Sequence, residues 1–128
     1  MNTRHSILVV DDETNMCMIL RRILEKEGYL VNVASDGEKA LSIVEKNNPD
    51  VVILDLMMPG MNGREVCHAI REMAPATKVI YFSAKVESDV QKLKELKGEA
   101  DMFLTKPATS KKILSSVNSL LNQKDTEY

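Results

Sequence analysis

The chain has no apolar run near the roughly 18 residues needed to cross a bilayer, and no signal-peptide pattern opens it. Membrane insertion is not expected, and the chain reads as cytoplasmic. It also has no basic excess. Its 17 Lys and Arg stand against 19 Asp and Glu, a formal net charge of -2. A surface that grips phosphate backbones needs such an excess, so direct nucleic-acid binding is not expected. Cysteine is scarce: Cys17 and Cys67 lie far apart and outside any Cys-x-x-Cys pattern. They read as two small, buried, reduced hydrophobes. His5 and His68 have no second His or Cys at metal-ligand spacing, and read as surface or structural residues. Repeats, low-complexity segments and an interdomain linker are missing too.

What remains is an ordinary globular composition. The 128 residues are 44% hydrophobic and 28% charged, which fits one domain able to bury a core without disulfides or structural metal. Residues 1–123 read as that domain, and residues 124–128 as a polar tail. Within it, short apolar runs alternate with helical periodicity. Residues 7–10, 30–34, 51–54, 79–82 and 102–104 read as strands. Helices are expected between them: residues 14–27 stopped by Gly28, a helix capped at Ser35-Asp36-Gly37 and ended before Pro49, and one capped by Asn62 and closed by Pro75. A thinner stripe, Val86, Val90, Leu93 and Leu96, marks a helix over 86–97 edged with lysines. It reads either as a weakly held helix able to shift or as a solvated Lys-rich one. A last helix spans 109–122. Five alternations of strand and helix imply an α/β fold, a doubly wound five-stranded parallel sheet of order 2-1-3-4-5.

In such sheets ligands bind beyond the carboxyl ends of the strands, where the strand order reverses. The residues delivered there are Asp11, Asp12 and Glu13 after strand 1, Asp55 after strand 3, Ser83 and Ala84 after strand 4, and Thr105, Lys106 and Pro107 after strand 5. Each is ordinary alone. Asp11-Asp12 is a common solvated turn or cap, Ser83 a strand-end hydroxyl, Lys106 a surface lysine. Together they put Asp11 and Asp12 facing Asp55, with Ser83 and Lys106 on its other side. Three clustered carboxylates raise one another's pKa unless a hard cation with oxygen ligands joins them, and Mg²⁺ suits that role. A lysine and a hydroxyl suit phosphate oxygens. The chemistry indicated is phosphoryl transfer, with Asp55 as nucleophile.

The same residues resemble a known family. Val9-Val10-Asp11-Asp12-Glu13, Asp55-Leu56-Met57-Met58-Pro59-Gly60-Met61-Asn62-Gly63, Ser83-Ala84 and Leu104-Thr105-Lys106-Pro107 look like the motifs of response-regulator receiver domains of two-component signalling. The match covers about residues 5–122 and is similar to the single-domain regulators of chemotaxis and sporulation. It implies a flavodoxin-like (βα)5 fold. It also implies that Asp55 accepts a phosphoryl group from a sensor histidine kinase or a histidine phosphotransfer protein. Asp11, Asp12, Asp55 and the Met57 backbone carbonyl would hold Mg²⁺. Lys106 would pair with a phosphoryl oxygen, and the Leu56 and Ala84 amides would contact others. Ser83 would turn toward the new charge, and Phe103 would rotate inward behind it. That would reshape the surface of the 86–97 helix, the fifth strand and the last helix for a downstream protein, a phosphorylation-dependent dimer or a further phosphorelay step.

The chain departs from the family pattern in places. Phe103 lacks the frequent tyrosine's hydroxyl. Gly98-Glu99-Ala100-Asp101 is one residue longer than the usual Gly-Ala-Asp turn. Ala108 replaces a common large apolar residue, leaving a small depression. Met57 and Lys85 flank the phosphoryl position, where they would tune its lifetime. Two rival readings stay open. A hydrolase of small phosphoesters would want a second Asp where Met57 stands, and a degenerate receiver would lack part of the Asp11, Asp12, Asp55, Ser83, Lys106 set.

Overall fold

The computed structural model describes residues 4–84, 95 and 98–126. The elements run β1 (Ser6–Val10), α1 (Thr14–Lys26), β2 (Leu30–Ala34), α2 (Gly37–Asn47), β3 (Val51–Leu54), α3 (Gly63–Met73), β4 (Lys78–Ser83), β5 (Met102–Thr105) and α4 (Ser110–Thr126). All four strand pairings are parallel, in the order β2-β1-β3-β4-β5. The helix expected over 86–97 lies, but for Glu95, outside the described residues.

Local chemistry explains the boundaries. Gly28, at φ 94°, takes the left-handed conformation that ends α1; its N–H bonds the Glu25 carbonyl, and the Tyr29 N–H bonds that of Leu24. The Asp36 carboxylate caps α2 by accepting from the Lys39 N–H at 2.8 Å. α3 begins with a reciprocal capping box, in which the Asn62 side chain accepts from the Glu65 N–H and the Glu65 carboxylate accepts from the Asn62 N–H. α4 runs on to Thr126, past the expected end at 122, because no Gly or Pro interrupts Asn122-Gln123-Lys124-Asp125.

Every residue of β3 is buried, as a strand covered on both faces requires. One core joins Leu8, Val10, Val52, Leu54, Val79 and Tyr81 to α2 and α3. The other joins Ile7, Val9, Ile53, Ile80, Phe82 and Leu104 to α1 and α4. Alternation along the strands produces these two faces, and sandwiching the sheet fixes its carboxyl edge as a rigid rim. A groove of about 470 Å³ runs between α1 and the start of α4, with Ala108 among its lining residues.

Candidate functional site

Asp11 and Asp55 extend the parallel ladder by one residue each. The Asp11 N–H bonds the Ala34 carbonyl at 3.1 Å, and the Asp55 N–H bonds that of Val10 at 3.0 Å. Both carboxylates are thereby fixed at the rim between β1 and β3, at 2% and 6% residual exposure. Each then turns one oxygen onto the backbone two residues later. Asp11 Oδ1 accepts from the Glu13 N–H at 2.9 Å, and Asp55 Oδ1 from the Met57 N–H at 3.0 Å. The remaining oxygens share one ammonium: Lys106 Nζ lies 2.7 Å from Asp11 Oδ2 and 3.6 Å from Asp55 Oδ2.

Lys106 departs from its expected place. Its backbone is on the Ser83 side, donating to the Ser83 carbonyl at 2.9 Å. Its side chain does not stay on the far side of Asp55 from Asp11; it reaches across to Asp11. The four-carbon stem allows this, and an almost wholly buried carboxylate draws the cation in. Nζ also sits 5.5 Å from the Phe82 ring centroid.

Asp12 is exposed, yet one carboxylate oxygen from each of Asp11, Asp12 and Asp55 falls within 4.8 Å of the others. This all-oxygen, anionic set could hold a hard metal ion. The electrostatics point the same way. Burial pushes the Asp55 carboxyl above its ordinary 3.8 and the charges of Asp11 and Asp12 push further, against the Met57 amide and Lys106. At Lys106 burial disfavours the charge, but the Asp11 hydrogen bond and the charges of Asp11, Asp55 and Glu13 outweigh it and raise the ammonium above 10.5. Ser83 is buried, and its hydroxyl has no hydrogen-bond partner among the described residues. A buried hydroxyl beside these acids is chemically suited to hydrogen-bond an incoming group at the rim.

The other expected residues fall around this centre. Met57 stands at the rim, 60% exposed. Leu56 is half-buried and Ala84 exposed. Phe103 is half-buried and packs edge-on against Tyr81. Lys85 lies outside the described residues. Cys17 and Cys67 are free and buried, as expected. His5 and His68 sit near Asp50 and Glu99 respectively.

Two supporting residues escaped the sequence reading. A Cβ on Gly63 would stand 2.5 Å from the Asp55 carbonyl oxygen and 2.7 Å from Leu56 Cα, so only glycine lets α3 start this close beneath Asp55. Asn62-Gly63 was legible as a turn, but not as a close approach. The Cys17 thiol donates to the Asp11 carbonyl at 3.2 Å, and nothing in its spacing foretold that.

Residues 7–118 match the family model of the response regulator receiver domain. The chain belongs to that family. It is 37% identical over 119 residues to the alkaline phosphatase synthesis transcriptional regulatory protein PhoP of Bacillus subtilis, covering 93% of this chain and 49% of that one. It is 36% identical over 124 residues to the DNA-binding response regulator MtrA of Mycolicibacterium paratuberculosis, covering 97% and 54%. The chain thus spans about half the length of the curated relatives it matches. Among solved structures, a CheY-like receiver domain protein from Methanospirillum hungatei superposes with a TM-score of 0.91 at 25% identity, covering 98% of this chain and all of that one. In this receiver domain of two-component signalling, the acid-lined rim is the phosphoacceptor cluster. Among the described residues, no helix is long and apolar enough to cross a membrane.

Proposed function

We propose that Asp55 accepts a phosphoryl group from a phosphohistidine on a sensor histidine kinase or histidine phosphotransfer protein. One observation carries this reading. A buried carboxylate stands among two other acids, faces the Lys106 ammonium at 3.6 Å, and shares its rim with the Ser83 hydroxyl, which has no hydrogen-bond partner among the described residues. An Asp55 oxygen attacks phosphorus, the P–O bond forms, and the P–N bond breaks. The imidazole leaves with the electron pair and takes up a proton. Asp55 then carries the phosphoryl as an acyl phosphate. Lys106 is placed to exchange Asp11 for a phosphoryl oxygen, and Ser83 to donate to another. The Leu56 and Ala84 amides complete the surround.

Asp11, Asp12, Asp55 and the Met57 carbonyl would hold Mg²⁺. When bound, the ion supplies the positive charge that lets the acids stay ionised beside an incoming phosphoryl group. The domain acts as acceptor and assists its own phosphorylation and hydrolysis; it does not turn over unrelated substrates. Met57 shades the phosphoryl from water, and with Lys85 sets its lifetime. Phosphorylation draws the Ser83 hydroxyl inward and Phe103 after it. The altered surface beside β5 is read in the cytoplasm by a downstream protein, by a second copy, or by the next member of a phosphorelay. A net charge of -2 supports no direct nucleic-acid contact by these residues.

The test is intact mass after incubation with Mg²⁺ and acetyl phosphate. One phosphoryl adduct is expected on the natural chain and none on Asp55→Asn. Equal labelling of both would remove Asp55 from its role.

A further inference from the structure

A second dense polar cluster forms around Glu99, in the turn that leads into β5. The Glu99 carboxylate accepts from Arg64 Nε at 2.9 and 3.1 Å, from Arg64 Nη2 in a shorter contact, and from the Tyr81 hydroxyl at 3.0 Å. The Glu99 carbonyl accepts from Arg71 Nε and Nη2 at 3.3 and 3.1 Å and from the Cys67 thiol at 3.5 Å. Arg71 Nη2 also reaches Asp101 Oδ2 at 2.8 Å, and that oxygen accepts the Val79 N–H at 2.8 Å. Residues 64, 67 and 71 share one face of α3, so the turn is clamped along that helix.

Tyr81 connects the cluster to the rim. It is wholly buried on β4 and lies two residues before Ser83, so both side chains point to the same side of the sheet. Tyr81 pairs in register with Phe103, and their rings meet edge to face, 6.5 Å apart at 84°. A wholly buried phenol needs partners for its hydroxyl: the Glu99 carboxylate accepts from it at 3.0 Å, and the Cys67 thiol lies beside it. The ring beside Phe103 is thereby pinned at its far end.

We propose that Glu99 is a positioning residue for the Phe103 switch. By holding the Tyr81 hydroxyl it fixes the ring against which Phe103 packs, and so ties the state of Phe103 to α3. The inference rests on the reading of Phe103 as the moving aromatic. Releasing the pin gives the Tyr81 ring room to yield and favours the inward position of Phe103.

The chain's two phenylalanines, Phe82 and Phe103, make this testable. Fluorophenylalanine labelling gives two ¹⁹F resonances, assigned through Phe82→Leu and Phe103→Leu. The H₂O-to-D₂O isotope shift of the Phe103 fluorine reports its exposure. Without a phosphoryl donor, Tyr81→Phe and Glu99→Ala should each raise the inward population of Phe103 about threefold. The isotope shift then falls toward its value in protein treated with acetyl phosphate, while that of Phe82 stays constant. The double variant should move no further than Tyr81→Phe alone, because Glu99 acts through the hydroxyl. Tyr81→Phe keeps the ring and settles the question even if Glu99→Ala does not fold. An unchanged or larger Phe103 isotope shift in Tyr81→Phe overturns the proposal, as do fully additive effects in the double variant. The donor-free spectra do not depend on an adduct at Asp55, so failure there, read by mass, is distinguishable from failure here.

Discussion

Asp55 and Glu99 are both carboxylates at the ends of connections onto this sheet, and their surroundings push them in opposite directions. Burial and two neighbouring acids drive the Asp55 carboxyl up, with one lysine shared against them. The Arg64 hydrogen bond holds Glu99 below its ordinary 4.5 despite burial, and Tyr81 helps. Around Asp55 a hydroxyl is left without a partner among the described residues; around Glu99 a guanidinium and a phenol converge on the carboxylate. Among the described residues the rim is short of positive charge and has hydrogen-bonding capacity in reserve, as a place that takes up a cation and a phosphoryl group must. The Glu99 cluster is closed, as scaffolding must be. α3 belongs to both: Gly63 lies beneath Asp55, while Arg64 and Arg71 hold Glu99.

The comparison can be broken most forcefully at Gly63. Gly63→Ala sets a methyl 2.5 Å from a backbone oxygen that cannot swing aside. It should cost about 3 kcal/mol in urea unfolding and slow labelling of Asp55, because overpacking here displaces the nucleophile's own backbone. Arg71→Met comes next. It strips donors from the Glu99 and Thr77 carbonyls and from Asp101. A loss of about 2 kcal/mol is expected with the acetyl phosphate labelling rate nearly unchanged, which separates scaffold from site. If labelling fell as far as in Gly63→Ala, the two regions would be one unit.

Mg²⁺ should act on the rim alone. At tenfold its Kd it should stabilise the natural chain by about 1.4 kcal/mol, and Asp12→Asn should lose most of that gain. Equal stabilisation of both variants would place the ion elsewhere. The smallest effects are the pH signatures, measured in metal-free buffer, and they carry opposite signs. Asp55, raised above 3.8, contributes stability that is full below that pH and lost as pH rises through its folded value. Asp55→Asn should therefore gain on the natural chain as pH climbs toward neutrality. Glu99, lowered below 4.5, contributes stability above that pH and loses it as pH falls through its folded value. The deficit of Glu99→Gln should shrink on acidification. Parallel pH trends in the two variants would erase the distinction drawn between them.

Much of this was legible in the chain. The buried run 51–54, the caps at Asp36 and Asn62 and the stop at Gly28 are local features, governed by backbone propensity and nearest-neighbour hydrogen bonds. Period and punctuation therefore determined the elements, and the rule for open sheets determined which strand ends would converge. Asp11, Asp12, Asp55, Ser83 and Lys106 follow directly from that convergence. The course of the Lys106 side chain did not, because a flexible stem settles where buried charge is greatest, and burial is a property of the packed molecule. Nor did the closeness of Gly63 to Asp55, the thiol of Cys17 on the Asp11 carbonyl, or the gathering of Arg64, Arg71 and Tyr81 on Glu99. Those contacts join residues brought together by packing across elements. The sequence by itself determined which chemical groups reach the rim, because strand ends are set locally. Only the tertiary structure decided how their charges are shared, because that depends on distances and burial that exist once the sheet is covered on both sides.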